Sequence, residues 1–289
     1  MAAKKILPSD EQYLERTKRN QFWMKGTEGQ LALRNLKVGV AGLGGMGSNI
    51  AEIFARLGVG HLRLADPDVI EVSNINRQVI ANMRTVGMTK LEASCSELLN
   101  IDSTLDLKKF PEGISEENAE DFVKGLDVVI NEIDVLHVDK QMALLNAARK
   151  HNIPVYTTLV VGVGIHLYKY SPTSSFTAYD FLGGILRDSS LDMLLETLGQ
   201  PLPAYMQDEN LQAFKDEITN RGGIPIFGAS TYLGQSMLVI RVLSDLGRLR
   251  GVKGLPETPS LPEFLVLDPL TLELKTALIG ADGKARFKN

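Results

Sequence analysis

Short apolar runs alternate with amphipathic stretches along the first 170 residues. Runs near 38–41, 62–65, 104–109, 127–131 and 154–159 have strand length, and stretches near 46–57, 88–100, 116–124 and 138–150 have helical length and spacing. This alternation predicts an α/β fold, a mostly parallel, doubly wound sheet with helices on both faces. Pro154 opens its strand, where a missing N–H is tolerated. Val160–Tyr170 reads as a further β segment, with His166, Tyr168 and Tyr170 on one face by period two. Upstream, Ser9–Arg34 reads as a polar helical arm anchored by Phe22, Trp23 and Leu31. Downstream, 171–228 carries Pro172, Pro201, Pro203 and Pro225, paired glycines at 183–184 and 222–223, and a helical stretch Leu191–Leu198. It keeps aromatic and apolar residues throughout, which suits an ordered substrate-facing insertion better than a linker. Gly228 opens a long apolar helix through Leu249, and 264–269 with 272–278 predict a closing antiparallel hairpin. The expected organisation is a single domain over 1–289: an arm (1–35), a core (36–170), an insertion (171–228) and a C-terminal helix with strands (229–289).

Chemistry concentrates where the first strand ends. Val38–Ser48 reads Val-Gly-Val-Ala-Gly-Leu-Gly-Gly-Met-Gly-Ser, followed about twenty residues later by Asp66 and Asp68 at the tip of the next strand. Glycines let a strand–turn–helix backbone approach phosphate, where the helix N-terminus offers free N–H groups. A strand-tip acid accepts hydrogen bonds from a ribose. Ser73-Asn74-Ile75-Asn76-Arg77-Gln78 and Val86-Gly87-Met88-Thr89-Lys90 follow. A triphosphate uses such residues: Arg is a forked donor, Lys a compact charge, and Asn and Gln orient sugar and phosphate.

The chain resembles the ThiF/MoeB/HesA superfamily, the adenylation domain shared with ubiquitin-activating enzymes. The resemblance runs from about Arg16 to the end and is strongest between Val38 and Asp134. It implies a Rossmann-like core that binds ATP: Gly42, Gly44 and Gly45 lining the phosphate turn, Asp66 on the ribose, and Asp68, Asn74, Arg77, Gln78 and Lys90 around the phosphates. Asp134, after Val128-Val129-Ile130-Asn131, would stand near Mg²⁺ and the reacting α-phosphate; Val135 replaces the usual Asn. The family also uses an arginine from a partner subunit's N-terminal helix. Arg16-Thr17-Lys18-Arg19-Asn20 ahead of Gly29-Gln30 matches that pattern, with Arg19 as the finger and Arg16 and Lys18 as alternatives. That role implies a homodimer.

Composition narrows the chemistry. The 289 residues hold one cysteine, four histidines and a formal net charge of −4. A lone Cys95 provides neither the paired Cys-x-x-Cys zinc site of many family members nor an acyl-accepting cysteine after Asp134; it reads as a buried helix residue. The histidines form no ligand pair, and His137 reads as a helix start. A reducing, cytoplasmic setting is expected, since Met1–Pro8 lack a signal-peptide core and no run approaches the ~18 apolar residues of a membrane span.

The resemblance therefore implies an ATP-dependent adenylyltransferase that activates a carboxylate, the C-terminus of a ubiquitin-like or sulfur-carrier protein or a peptide, with release of pyrophosphate and no thioester. Arg19, Arg77, Lys90 and Asp134 would be its catalytic set. A carboxylate is ionised near pH 7 and attacks without a general base, so positioning and charge neutralisation do the work. Three alternatives stay open: a tRNA threonylcarbamoyladenosine dehydratase-like enzyme, for which an acidic chain advertises no basic surface; an NAD-dependent oxidoreductase, which leaves Arg77, Gln78 and Lys90 without a role; and a catalytically silent scaffold.

Overall fold

The structure, a computed structural model, describes residues 10–221 and 223–288. The leader reading of Met1–Pro8, the first nine residues of the expected arm (1–35), and Gly222 of the glycine pair lie outside them. Five strands form the parallel part of one sheet: β1 (Lys37–Ala41), β2 (His61–Ala65), β3 (Asp106–Phe110), β4 (Val128–Asn131) and β5 (Val155–Val161). The order is β3-β2-β1-β4-β5, so the chain reverses its direction of travel across the sheet between β1 and β4. A crevice opens at such a switch point, beyond the C-terminal strand ends.

The sheet continues antiparallel through β6 (Gly164–Tyr170), β7 (Glu263–Asp268), β8 (Glu273–Ile279) and β9 (Ala285–Phe287). The expected β segment over 160–170 is therefore a hairpin: it turns at Gly162, where φ is +63°, and β6 runs back along β5. β9 adds a strand beyond the expected closing hairpin.

Helices cover both faces. On one lie α2 (Thr27–Arg34), α3 (Gly47–Leu57), α4 (Lys90–Ile101) and α10 (Gly228–Asp245); on the other, α5 (Ala119–Val123), α6 (Val138–Lys150), α7 (Ala178–Arg187) and α8 (Leu191–Leu198). β1 and β4 are apolar and buried along nearly their whole length, as strands covered on both faces must be. The insertion holds more helix than expected, with α7 and α9 (Asp208–Arg221) flanking α8.

Three expectations need correction. The N-terminal arm is not one helix: α1 (Asp10–Arg16) and α2 are separated by a turn in which Lys25 and Gly26 have φ of +63° and +92°, which no continuing helix accepts. Nor are Phe22 and Trp23 anchors. Both are 60% exposed and pack edge-to-face on each other, while Tyr13 does the anchoring, its buried hydroxyl donating to the Gln30 and Gly58 carbonyls. At the other end α10 stops at Asp245 rather than Leu249, because Gly247 turns the chain with φ +63°. The expected membrane reading agrees in its literal form: among the described residues no helix is long and apolar enough to cross a membrane.

Candidate active site

The crevice at the switch point holds a cavity of ≈ 360 Å³. Nine of the expected site residues line it: Gly42, Gly44, Gly45, Asp66, Asp68, Arg77, Gln78, Lys90 and Asp134. Gly42 leaves β1 with φ +89°, its N–H donating to the Ala65 carbonyl at 2.8 Å. A Cβ on Gly42 would collide with the Glu132 carbonyl, whereas Gly44 meets nothing nearer than the Gln78 amide nitrogen at 4.0 Å. Gly42 is thus needed for close packing of β1 on β4, and Gly44 leaves open space above the turn. α3 then starts with no side-chain cap and no acid in its first turn, so its positive dipole end is left for an external anion.

Asp66 is buried at the tip of β2. One oxygen accepts from Leu43 N at 2.5 Å and the other from Asp68 N at 2.8 Å. Desolvation raises its pKa, against the opposing pull of Lys90 and both backbone donors. Lys90 opens α4 and reaches back to Asp68 with an ion pair of 2.7 Å, which holds its largely buried side chain at the cavity wall. Burial lowers the Arg77 pKa and the Asp134 charge opposes that shift, and both side chains line the cavity.

Asp134 sits in the loop after β4. Its Oδ1 accepts from Leu136 N at 2.9 Å, and Gln141 Nε2 donates to its carbonyl at 3.2 Å. Fully buried Asn131 bonds Gln141 and the Ile133 N–H, bracing the loop from below. The carboxylate itself is exposed to the cavity.

Two expected residues stand elsewhere. Asn74 is buried beside the site but off the cavity lining; its Oδ1 accepts from Glu71 N and closes a short 3-10 turn over Val72–Asn74. Arg19 is exposed on the turn after α1, outside this chain's cavity. Its alternative Arg16 is occupied, bridging Asp102 at 2.7 Å and the Ala55 carbonyl at 3.0 Å. Cys95 is buried in α4, where burial pushes the thiol pKa up, and His137 occupies the N-cap position of α6 without a side-chain capping bond and lines the cavity.

Sequence reading missed three groups. Gln235 of α10, 1% exposed, donates to the Gly45 carbonyl at 2.7 Å and accepts from Asn49 at 3.1 Å, fixing the glycine turn from behind. Asn49 also accepts from Val79 N, tying α3 to the Arg77 loop. Glu132 lines the cavity beside Asp134, and its Oε1 accepts from both Thr158 N and Thr158 Oγ1 at 3.0 Å. Burial pushes that carboxyl up to about 8, despite the two Thr158 donors. The signal for Glu132 was an acid closing an otherwise apolar strand; for Gln235 and Asn49 there was none, since single polar residues on apolar helices are common.

With this geometry in place, the ThiF family model matches residues 17–283. Over 135 residues the chain is 34% identical to the tRNA threonylcarbamoyladenosine dehydratase of Bacillus subtilis (strain 168), covering 46% of this chain and 52% of that protein. Over 104 residues it is 38% identical to the adenylyltransferase and sulfurtransferase MOCS3 of Mus musculus, covering 36% of this chain and 23% of that one. The alignments thus span about half or less of these curated relatives. A crystal structure of PaaA superposes with a TM-score of 0.65 at 19% identity, across 96% of this chain and 86% of that chain, a likeness of fold.

Proposed function

This chain belongs to the ThiF family, and from that premise we propose that it is an ATP-dependent adenylyltransferase, activating a carboxylate as an acyl-adenylate with release of pyrophosphate. The observation that carries this reading is the gathering of Gly44, Asp66, Arg77, Gln78, Lys90 and Asp134 on one cavity at the sheet's switch point. In this reading the open space above Gly44 and the uncapped start of α3 take the phosphates. Asp66, already oriented by two backbone donors, accepts from the ribose. Arg77 and Lys90 neutralise the departing pyrophosphate, Lys90 exchanging part of its Asp68 pairing for phosphate oxygen.

Asp134, an exposed carboxylate on the cavity lining, fits a magnesium ion carried in by the nucleotide, since such an ion takes one or two carboxylates and completes its shell with phosphate oxygens and water. Bound there, the ion would supply charge neutralisation at the reacting phosphate. The acyl group ends on no cysteine of this chain, because Cys95 is buried in α4. Candidate substrates are the C-terminal carboxylate of a ubiquitin-like or sulfur-carrier protein, or of a peptide. A homodimer with Arg19 reaching the partner's cavity completes the site, and the exposed position of Arg19 supports that arrangement.

Calorimetry with ATP and with NADH tests the reading. Binding of ATP, strengthened by Mg²⁺, is the expected result; binding of NADH but not ATP would replace it with the oxidoreductase. A second reading, the tRNA threonylcarbamoyladenosine dehydratase, is favoured by the identity to the Bacillus subtilis enzyme and shares the adenylation step. Retention of the chain on tRNA at moderate salt selects it; the net charge of −4 supports the protein or peptide carboxylate instead.

A further inference from the structure

The cavity does not end at the phosphate residues. It crosses the sheet from Asp66 after β2, past Gly42 after β1 and Glu132–Asp134 after β4, to Thr157–Val160 of β5 and Tyr168 and Tyr170 of β6. At about 4.8 Å per strand, β2 to β6 spans roughly 19 Å. The ribose and phosphate groups account for the half at β2, β1 and β4. Beyond β4 lies an arm between β5–β6 and the insertion helices α7 and α8, walled by Leu159, Tyr170, Phe181, Leu198 and Ile224.

The arm is apolar by construction. Tyr168 spends its hydroxyl on the Leu198 carbonyl at 3.1 Å and shares a 3.1 Å bond with His166 Nδ1, so it offers only its ring. The Phe181 ring packs at 5.3 Å from that of Tyr168 and 6.2 Å from that of Tyr170. The strand and insertion residues that wall the arm carry no charge, and His137 and Lys140 at the start of α6 also line the cavity. Glu132 stands at the mouth, its Oε1 held by Thr158 N and Thr158 Oγ1 at 3.0 Å. Against Leu159, Tyr170, Phe181, Leu198 and Ile224 a charged side chain would lose its hydration and gain no partner from those residues, whereas an apolar one is driven in.

Resting on the adenylation reading, we infer that this arm is an acyl side-chain pocket: the carboxylate this chain activates is carried by a residue with a large apolar side chain, aromatic or branched aliphatic. The carboxylate then lies beyond the end of β4, where the nucleotide half of the cavity meets the arm, with its side chain directed away from the nucleotide towards Phe181. Specificity comes from the insertion, which supplies α7, α8 and Ile224 to the arm.

Calorimetry with non-hydrolysable 5′-O-(N-acylsulfamoyl)adenosines tests this on the full chain, using N-acetylphenylalanyl, N-acetylleucyl, N-acetylglycyl and N-acetylaspartyl forms, with ATP as the control for an intact nucleotide end. The phenylalanyl and leucyl forms should bind about tenfold or more tightly than the glycyl form, and the aspartyl form no better than it. Leu159→Trp, which fills the arm from a half-buried position, should erase the phenylalanyl advantage. Phe181→Ala should shrink it severalfold if that core variant folds. Glycyl binding equal to or tighter than phenylalanyl would overturn the pocket and leave adenylation standing. Failure of ATP and of every analogue to bind would overturn the adenylation reading and the pocket with it.

Discussion

Glu132 and Asp134 stand two residues apart on one loop in different environments, and their predicted variants differ accordingly. Asp134 is exposed and spends one oxygen on a turn N–H. Asp134→Ala should cost on the order of 1 kcal/mol of stability yet abolish carboxylate-dependent pyrophosphate exchange and the strengthening of ATP binding by Mg²⁺. Exchange at the wild-type rate would remove it from the mechanism. Arg77→Ala and Lys90→Ala should each weaken ATP binding by about 1–3 kcal/mol, the scale of a charged hydrogen bond. Glu132 is a titration prediction. Its folded pKa of about 8 lies above the ordinary 4.5, so the folded state holds a proton that the unfolded chain has released between those values. The resulting stabilisation is complete below pH 4.5 and is lost as pH rises through 8. Glu132→Gln keeps an acceptor for Thr158 and carries no charge, so its stability relative to wild type should rise between pH 5 and 8 by about 1 kcal/mol per pH unit or less. Urea unfolding at both pH values checks this, and an unchanged difference would mean the carboxyl is ionised throughout.

The strand–turn–helix unit from β1 through α3 separates two kinds of glycine. Gly42 has φ +89° and lies against the Glu132 backbone, while Gly44 has free space in place of a side chain. Gly42→Ala should therefore destabilise by roughly 2–4 kcal/mol through strain and collision. Gly44→Ala should stay within about 0.5 kcal/mol of wild-type stability and lose ATP affinity, because its methyl group occupies the phosphate space. Thermal melts and calorimetry on the pair check both; equal losses of stability would show that the turn is only a packing device. The elements themselves were legible from pattern: α6 falls on its predicted 138–150, and α3 and α4 within two residues of theirs at each end. Apolar periodicity is a local property, so it survives without knowledge of neighbours. The arm failed because a positive-φ turn at Lys25–Gly26 leaves no break in the polar pattern.

At the scale of the whole molecule, the cavity is built from one chain, and the arginine expected to complete it is outside. If Arg19 serves the partner's site, a C2 dimer holds two composite sites. Mixing Arg19→Ala with Asp134→Ala should then restore activity, since half of the mixed dimer's sites carry both intact groups. Absence of complementation, with subunit exchange demonstrated, would place the arginine in its own chain or remove it. Arg16, held by Asp102 and the Ala55 carbonyl, is excluded from that swing unless α1 leaves its packing.

What the sequence determined by itself was whatever is written within a few consecutive residues. The alternation of strands and helices, the glycine turn after β1, the acid at the tip of β2 and the polar loop to Lys90 follow from periodicity and from which residues tolerate a given backbone. Only the tertiary structure decided which polar side chains turn inward. Asn74 and Gln78 are near neighbours in one motif, yet Asn74 closes a 3-10 turn and Gln78 reaches the cavity. Gln235 is separated from Gly45 by 190 residues and still holds its carbonyl. Glu132 has its pKa raised because β5 runs past the end of β4 and brings Thr158 over it, removing water from the carboxyl. Desolvation and long-range hydrogen bonding depend on strand order and on which helices cover the sheet, and neither is encoded in local spacing.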